Sequence, residues 1–347
     1  MGGRWFVRLA VLGLVALAVA GCAVQAKDQA YVGVGMEMPQ PAAARDYAAL
    51  YAPYAMMATL AYTDPSGLDK EQNCPDVEML KHAPPNETER NAEFRKTTRA
   101  WITDLKNMGW SCRFGVYGSL PCPKRLGDGC SPVSGLEFHI WRRKTSNGCE
   151  AVIAFRGSDK DDLGDWISNF RWLYRLVPKF DQYAQVQAHI TRIVEHIRGR
   201  CAGTQIVSAG HSLGGGLAQQ AAYAGGKDGI HYVYAFDPSP VTGFFDVSAM
   251  LRERSTAGLG VDRAYEAGEI LALPRMIVEN IFPPAECRPR IRSVRFHVFD
   301  GLPVAEHNME RLTTELREVA KGGHPERVDA SLQAQTCRQP TFMVPPA

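Results

Sequence analysis

The stretch that most constrains the fold of this chain is residues 206–217, where an apolar strand turns into a helix through the pattern Gly-x-Ser-x-Gly. Such a turn bends so sharply that its serine, here Ser212, is strained, and only small neighbours such as Gly210 and Gly214 leave room for the bend. The serine hydroxyl then projects at the carboxyl end of a sheet. The first amides of the following helix point to the place where negative charge develops in acyl transfer. The stretch therefore predicts a nucleophile elbow.

Apolar runs and amphipathic segments alternate along the rest of the chain, which has 347 residues and 45 % hydrophobic content. Strands that alternate with helices around an elbow predict an α/β-hydrolase fold, with a mostly parallel central sheet flanked by helices. The strands are expected at 136–140, 151–155, 205–209, 231–236, 263–273 and 291–299, and the helices at 42–62, 97–108, 183–197, 217–224 and 305–320.

The amino terminus has the features of an export signal. Arg4 and Arg8 precede an apolar run that is too short for a comfortable membrane span, and the run ends in Val19-Ala20-Gly21-Cys22, which resembles the bacterial lipobox. The pattern predicts a lipoprotein signal peptide over 1–22, an acyl anchor on Cys22, and a tether over 23–41. Ala23 stands after the cysteine, where an inner-membrane retention signal would usually have Asp, so an anchor in the outer membrane is favoured. The anchored protein would face the periplasm or the cell surface. Ordinary export with an incidental cysteine is the alternative.

The folded domain is expected over 42–337, with a Cys-rich insertion at about 63–134 and a tail at 338–347. The chain has nine cysteines, and eight remain when Cys22 is set aside. An even set in an exported protein predicts up to four disulfides, whose connectivity the sequence does not give. A structural zinc site is disfavoured because no Cys-x-x-Cys pair has histidine partners.

An elbow serine needs a histidine that takes its proton and a carboxylate that fixes the histidine tautomer. In this fold the serine comes first in the chain, then the acid, then the histidine. His307 follows the last expected strand and is the expected base, with His324 as the competing residue. The acid is expected to be Glu269, near the carboxyl end of the penultimate expected strand, and Asp237, directly after the strand before it, is the alternative.

The site also needs amide donors for the oxyanion. The amide of Leu213, directly after the nucleophile, is one expected donor. The second is expected from Ser158, at the end of the Phe155-Arg156-Gly157-Ser158 loop that follows a buried strand.

Several of these motifs together resemble the class 3 lipases, which are α/β-hydrolases that include fungal triacylglycerol lipases and phospholipases A1. The resemblance rests on Phe155–Ser158, Asp165–Phe170 and Gly210–Gly215, and it extends over about 42–320. It implies that Ser212 is the nucleophile, that Ser158 and Leu213 form the oxyanion hole, and that Glu269 and His307 complete the triad. Two departures concern the acid. It is Glu instead of the usual Asp, and the strand-end segment Phe236-Asp237-Pro238-Ser239-Pro240 keeps Asp237 as an alternative.

The expected function is a serine carboxylic-ester hydrolase that acts on lipid through an acyl-enzyme. The substrate class, triacylglycerol, phospholipid or a related acyl ester, follows from the resemblance and from the expected membrane anchor. No metal or organic cofactor is needed for this chemistry. Nucleic acid is not an expected partner, because the net charge is only +2 and no basic stripe is present. The alternatives are a non-catalytic envelope lipoprotein that retains the fold, and an acyltransferase or phospholipase toxin.

Overall fold

A computed structural model describes the chain at 28–30, 44–63, 67–69, 71–82, 87–116, 135–146, 148–157, 182–201, 203–266, 268–272, 275, 289–296, 298, 302–323, 331–332 and 334–336. Cys22, Ser158 and His324 lie outside the described residues, as does the Asp165–Phe170 segment of the resemblance.

The main sheet is mostly parallel, as predicted. In the described residues its strand order is β2-β3-β4-β5-β6-β7-β8-β9, and β4 to β8 run parallel while β2, β3 and β9 are antiparallel to their neighbours. A separate pair joins β1 to β10. The strands are β1 (Asp28–Ala30), β2 (Ser111–Val116), β3 (Phe138–Thr145), β4 (Gly148–Phe155), β5 (Gln205–His211), β6 (Tyr232–Phe236), β7 (Gly260–Glu266), β8 (Arg290–Phe296), β9 (Ser331–Leu332) and β10 (Ala334–Thr336).

Helices cover both faces of the sheet, so the predicted α/β-hydrolase architecture is confirmed. Helices α1, α2 and α7 pack on one face, and α3, α4 and α5 lie on the other. None of the described helices is both long and apolar enough to cross a membrane. The helices are α1 (Ala44–Leu60), α2 (Glu89–Asn107), α3 (Gln182–Arg198), α4 (Leu213–Ala224), α5 (Ala249–Thr256), α6 (Pro303–Glu306) and α7 (Met309–Ala320).

Period-two alternation along the strands supplies the two layers of the core. In β4, Val152 and Ala154 pack under α1, whereas Ala151, Ile153 and Phe155 pack under α3 and α4. A strand that is apolar on both sides belongs in the interior of a sheet with both faces covered. β4 has such a position, and the elbow strand β5 is its parallel neighbour.

Two boundaries differ from the sequence expectation. The strand expected over 263–273 ends at Glu266, so Glu269 lies in the loop beyond the strand. The helix expected over 305–320 is divided into α6 and α7, with His307 and Asn308 between them. Both differences affect the candidate site, because they place its acid and its histidine on irregular backbone.

The described residues contain two of the expected disulfides. Cys74–Cys112 lies within the predicted Cys-rich insertion and joins the segment before α2 to β2. Cys149–Cys201 joins the start of β4 to the segment after α3. The predicted insertion also contributes to the core, because Trp101 of α2 is fully buried in the same apolar cluster as α1.

His139 gives the fold a predictable sensitivity to acid. The residue is buried in β3, and burial lowers the pKa of its imidazole to about 3, with a further contribution from the nearby Arg156 guanidinium. The unfolded chain binds a proton at this residue below pH ~6.5, whereas the folded protein does not. Stability is therefore lost as the pH falls, by about 2 kcal/mol between pH ~7 and pH ~5.

The measurement is urea unfolding of wild type and His139→Gln at several pH values. Between pH ~7 and pH ~5 the free energy of unfolding of the variant should fall by about 2 kcal/mol less than that of wild type. His82→Gln, at an exposed position, is the control and should follow wild type. Parallel profiles for wild type and His139→Gln would contradict the assignment.

Candidate active site

Ser212 has the backbone conformation of a nucleophile elbow, with φ 55° and ψ −124° between β5 and α4. This region of φ is disfavoured for a residue with a side chain and stores of order 1–3 kcal/mol of strain. The two glycines around it are sterically required. A Cβ on Gly210 would lie 2.2 Å from the carbonyl oxygen of Gly214, and a Cβ on Gly214 would lie 2.5 Å from the carbonyl oxygen of Phe155. Glycine is therefore required at both positions, because backbone oxygen atoms occupy the space that a Cβ would need.

Hydrogen bonds to the neighbouring strand hold the elbow in place. The amide of Ser212 donates to the carbonyl of Phe236 at 3.0 Å, and the amide of Ser239 donates to the carbonyl of Ser212 at 2.9 Å. The strained residue is thus bonded on both sides to β6 and to the segment that follows it. Its conformation is set by the sheet as well as by its own glycines.

His307 lies in the break between α6 and α7. Helix α6 ends at Glu306, and Asn308 begins α7 as its N-cap, accepting hydrogen bonds from the amides of Glu310 and Arg311. An asparagine cap satisfies amides that a helix leaves unpaired at its start. The cap therefore fixes the backbone next to His307, whose side chain is only 1 % exposed.

Glu269 is the carboxylate that contacts this histidine. Its Oε2 lies 2.8 Å from Nδ1 of His307 and also accepts a hydrogen bond from the amide of Leu271 at 2.8 Å. Its Oε1 is bonded to the guanidinium of Arg275, which also donates to the carbonyl of Pro238. These contacts hold Glu269 in one orientation and keep its charge paired although it is buried.

The two candidate acids have opposite electrostatic settings. Burial raises the pKa of Glu269, but the Arg275 guanidinium and hydrogen bonds from His307 and the Leu271 amide outweigh burial, so the pKa lies below its usual value. Burial raises the pKa of Asp237 well above its usual value, and the nearby Glu269 carboxylate raises it further. The surroundings of Glu269 therefore favour its charged form, whereas those of Asp237 disfavour its charged form.

Asp237 lies close to the pair but has different partners. Its Oδ1 accepts a hydrogen bond from the amide of Glu266 at 2.9 Å, and its Oδ2 is 4.0 Å from Nε2 of His211. The structure thus joins Glu269, and not Asp237, to Nδ1 of His307.

His307 lies against the elbow through the residue before the nucleophile. The rings of His211 and His307 have centroids 4.6 Å apart. Nε2 of His307 is buried and has no hydrogen-bond partner among the described residues, so the Ser212 hydroxyl is not bonded to it. In hydrolases without substrate this contact is often long and forms only in the Michaelis complex.

Of the two expected oxyanion donors, Leu213 and Ser158, the described residues include Leu213. Leu213 is the first residue of α4, so its amide is one of those that a helix leaves without an intrahelical partner. Ser158 lies outside the described residues, but its neighbour Gly157 lies against the elbow. A Cβ on Gly157 would be 2.5 Å from the carbonyl oxygen of His211 and 3.2 Å from the amide nitrogen of Gly214. The loop after β4 therefore approaches the elbow closely, as the two-donor arrangement requires.

Sequence reasoning missed two residues of the site. Tyr62, just beyond α1, places its hydroxyl 3.1 Å from Nδ1 of His211, and its only sequence signal was an aromatic residue at the end of an apolar helix. Arg275 binds the carboxylate of Glu269, and its signal was a cation six residues after Glu269. Neither type of signal is specific without the fold.

Residues 124–235 match the profile of a Tle-like phospholipase domain, described as phospholipase-like. This part of the chain is similar to lipid-acting hydrolases. The match covers about a third of the 347 residues and includes Ser212 and Leu213, but it ends before Asp237, Glu269 and His307. No curated protein sequence matches the chain.

Proposed function

We propose that this protein is a serine carboxylic-ester hydrolase that acts on lipid, with Ser212, His307 and Glu269 as its catalytic triad. The observation that carries the proposal is the strained elbow at Ser212, with a buried histidine–carboxylate pair packed against its neighbouring residue. A strained turn and a buried ionised carboxylate both cost stability, and such costs are typical of active sites.

The mechanism follows from the roles of these groups. The Ser212 Oγ attacks the ester carbonyl carbon while Nε2 of His307 takes the hydroxyl proton, and Glu269 stabilises the resulting imidazolium through Nδ1. The amides of Leu213 and Ser158 stabilise the oxyanion. The C–O bond then breaks, the leaving alkoxide receives the proton from His307, and an acyl-serine remains. Water, deprotonated by His307, repeats the sequence and releases the fatty acid.

Phospholipid is the favoured lipid, because the profile that matches the chain is that of a phospholipase domain. The class 3 lipase resemblance is consistent with this choice, since that family includes phospholipases A1. A toxin-like phospholipase and an acyltransferase use the same acyl-enzyme. They differ only in the target membrane or in the acceptor that takes the acyl group.

The proposal is tested with a fluorophosphonate probe, which modifies only an activated serine. Wild type should be labelled, and both Ser212→Ala and His307→Ala should lose labelling. Activity on phospholipid vesicles should disappear in the same two variants, by roughly 10⁶-fold where a triad member is removed.

Ser248→Ala is the matched control, because Ser248 caps α5 and is not part of the nucleophile elbow. It should be labelled like wild type. A folded, disulfide-intact wild type that is not labelled, with or without detergent, would overturn the proposal in favour of a non-catalytic lipoprotein.

We propose further that Cys22 carries an acyl anchor and places the protein at the bacterial outer membrane. The support is the lipobox-like Val19–Cys22 sequence with Ala23 after it. A single chain binds membranes only marginally, so stable anchoring depends on more than one acyl chain. Cys22→Ser should therefore move the protein from the membrane fraction to the soluble periplasmic fraction. Metabolic labelling with an alkyne fatty acid should give a signal in wild type and none in the variant, and an equal signal in both would contradict the anchor.

A further inference from the structure

Three buried polar side chains converge beside the elbow: His211, Asp237 and His307. One ring nitrogen of each histidine and one carboxylate oxygen of Asp237 lie within 4.8 Å of one another. Nε2 of His211 is 4.0 Å from Oδ2 of Asp237. The residues come from the ends of β5 and β6 and from the break between α6 and α7, so the fold itself brings them together.

Two atoms of this cluster make no hydrogen bond with any described residue, namely Oδ2 of Asp237 and Nε2 of His307. A buried polar atom without a partner costs about 1–3 kcal/mol. The proposed hydrolysis accounts for Nε2 of His307, which takes the serine proton. It does not account for Oδ2 of Asp237, because Glu269 already serves as the acid.

The hydrogen bonds behind the two histidines allow the Nε2 atom of each ring to act as an electron-pair donor. Oε2 of Glu269 accepts the proton on Nδ1 of His307. The Tyr62 hydroxyl donates to the carbonyl of His211 at 3.4 Å, so its oxygen is able to accept the proton on Nδ1 of His211 at 3.1 Å. Support of this kind, an acceptor on Nδ1 behind a histidine whose Nε2 faces the site, is typical of metal-binding histidines.

We propose that His211, Asp237 and His307 form a binding site for a divalent transition-metal ion, with Zn²⁺ as the best fit, and that the bound ion keeps the hydrolase inactive. Zn²⁺ takes imidazole nitrogen and carboxylate oxygen ligands at ~2.0–2.2 Å, which separates tetrahedral ligand atoms by roughly 3.4 Å. Side-chain rotations therefore have to close the cluster slightly. Mg²⁺ and Ca²⁺ prefer oxygen ligands and do not suit a site with two imidazoles.

The bound ion inhibits because it needs the same lone pair, on Nε2 of His307, that the reaction needs. An ion on Nε2 of His307 occupies the electron pair that has to accept the Ser212 proton, so the bound ion and the activated serine exclude each other. This consequence rests on the proposed hydrolase function. The binding of the ion does not.

Binding is tested on the untagged full chain after treatment with EDTA, by competition for Zn²⁺ with a chromogenic chelator. Wild type should bind one equivalent tightly, and Asp237→Asn and His307→Gln should each weaken binding at least tenfold. His196→Gln is the matched control on the exposed surface of α3 and should bind like wild type. Circular dichroism checks that each variant is folded. Absence of a tight equivalent, unchanged affinity in Asp237→Asn, or equal binding of Mg²⁺ would overturn the site.

Inhibition is tested by the rate of fluorophosphonate labelling with and without Zn²⁺. Labelling of wild type should slow in proportion to Zn²⁺ occupancy and recover with EDTA. Labelling that is unchanged or faster with Zn²⁺ bound would overturn the inhibitory role. A wild type that is never labelled would contradict the proposed hydrolase, and the chelator competition would still decide the metal site.

Discussion

Replacing Glu269 by Gln should reduce turnover of a short-chain ester by roughly 10⁴-fold, the size of loss that follows when a triad acid becomes an amide. The Gln side chain fits the same space, but its amide group is able to donate to Nδ1 of His307. That hydrogen bond favours the tautomer with the proton on Nε2, which cannot accept the Ser212 proton. The change also removes the anion that stabilises the imidazolium. The measurement is kcat/KM together with the rate of fluorophosphonate labelling.

Two further variants make this prediction specific. Glu269→Asp keeps the charge and should retain more activity than the Gln variant, although its shorter side chain lengthens the bond to His307. Asp237→Asn should lower kcat/KM by less than about tenfold, because Glu269, and not Asp237, is bonded to Nδ1 of His307. A larger loss in Asp237→Asn than in Glu269→Gln would make Asp237 the acid instead.

The unfolding midpoint has to be measured for Glu269→Gln as well. The substitution leaves the Arg275 guanidinium without its anionic partner in a buried setting, and this destabilises the fold. Activity is therefore compared per folded protein, at a temperature well below the midpoint. A loss of activity that follows only the loss of folded protein would show that Glu269 has a structural role alone.

The elbow could be predicted from the sequence because its signal is local. The bend requires a fixed spacing of small residues around Ser212, and the flanking strand and helix have strong periodicity. The structure gives the physical basis of that spacing, since a Cβ on Gly210 or Gly214 would overlap backbone oxygen atoms. The two-sided apolar pattern of β4 was equally local, and it placed this strand in the interior of the sheet.

The acid could be narrowed to two residues but not chosen. Glu269 and Asp237 both follow strands, and the difference between them lies in contacts made across the fold. Arg275 and the Leu271 amide stabilise the charge of Glu269, whereas burial and a neighbouring carboxylate dominate the setting of Asp237. Such electrostatic differences depend on tertiary structure, so no local pattern carries them.

The break before α7 had a readable signal that the periodic pattern concealed. Met309, Leu312, Leu316 and Val319 have helical spacing, and the sequence favoured a single helix over 305–320 with His307 in its first turn. Asn308 is a strong N-cap residue, and its side chain accepts hydrogen bonds from the first amides of α7. Giving the cap more weight than the period would have started the long helix at Met309, after His307.

Arg292→Met should destabilise the fold by about 3–5 kcal/mol, because it leaves a buried carboxylate without its counter-ion. Arg292 and Asp262 are directly opposite on β8 and β7, with side chains 3 % and 0 % exposed. Nε of Arg292 donates to Oδ1 of Asp262 at 2.9 Å, and a second bond joins the guanidinium to Oδ2. The hydroxyls of Tyr51 and Tyr232 each donate to the same carboxylate at 2.9 Å. The measurement is urea unfolding at neutral pH.

The double variant Asp262→Asn with Arg292→Met separates the charge from the packing. The introduced asparagine side chain carries no charge and would keep a carbonyl acceptor for one of the two tyrosine hydroxyls, so the double variant should be more stable than Arg292→Met alone. If the double variant loses as much stability as the two single variants together, the two charges do not depend on each other.

The same network supports the candidate site. Tyr51 lies on α1, which ends just before Tyr62, so the network also anchors the helix that brings the Tyr62 hydroxyl to His211. Arg292→Met should therefore lower Zn²⁺ affinity as well as stability, whereas Arg95→Met, which breaks a more exposed ion pair with Glu87, should lower neither by a comparable amount.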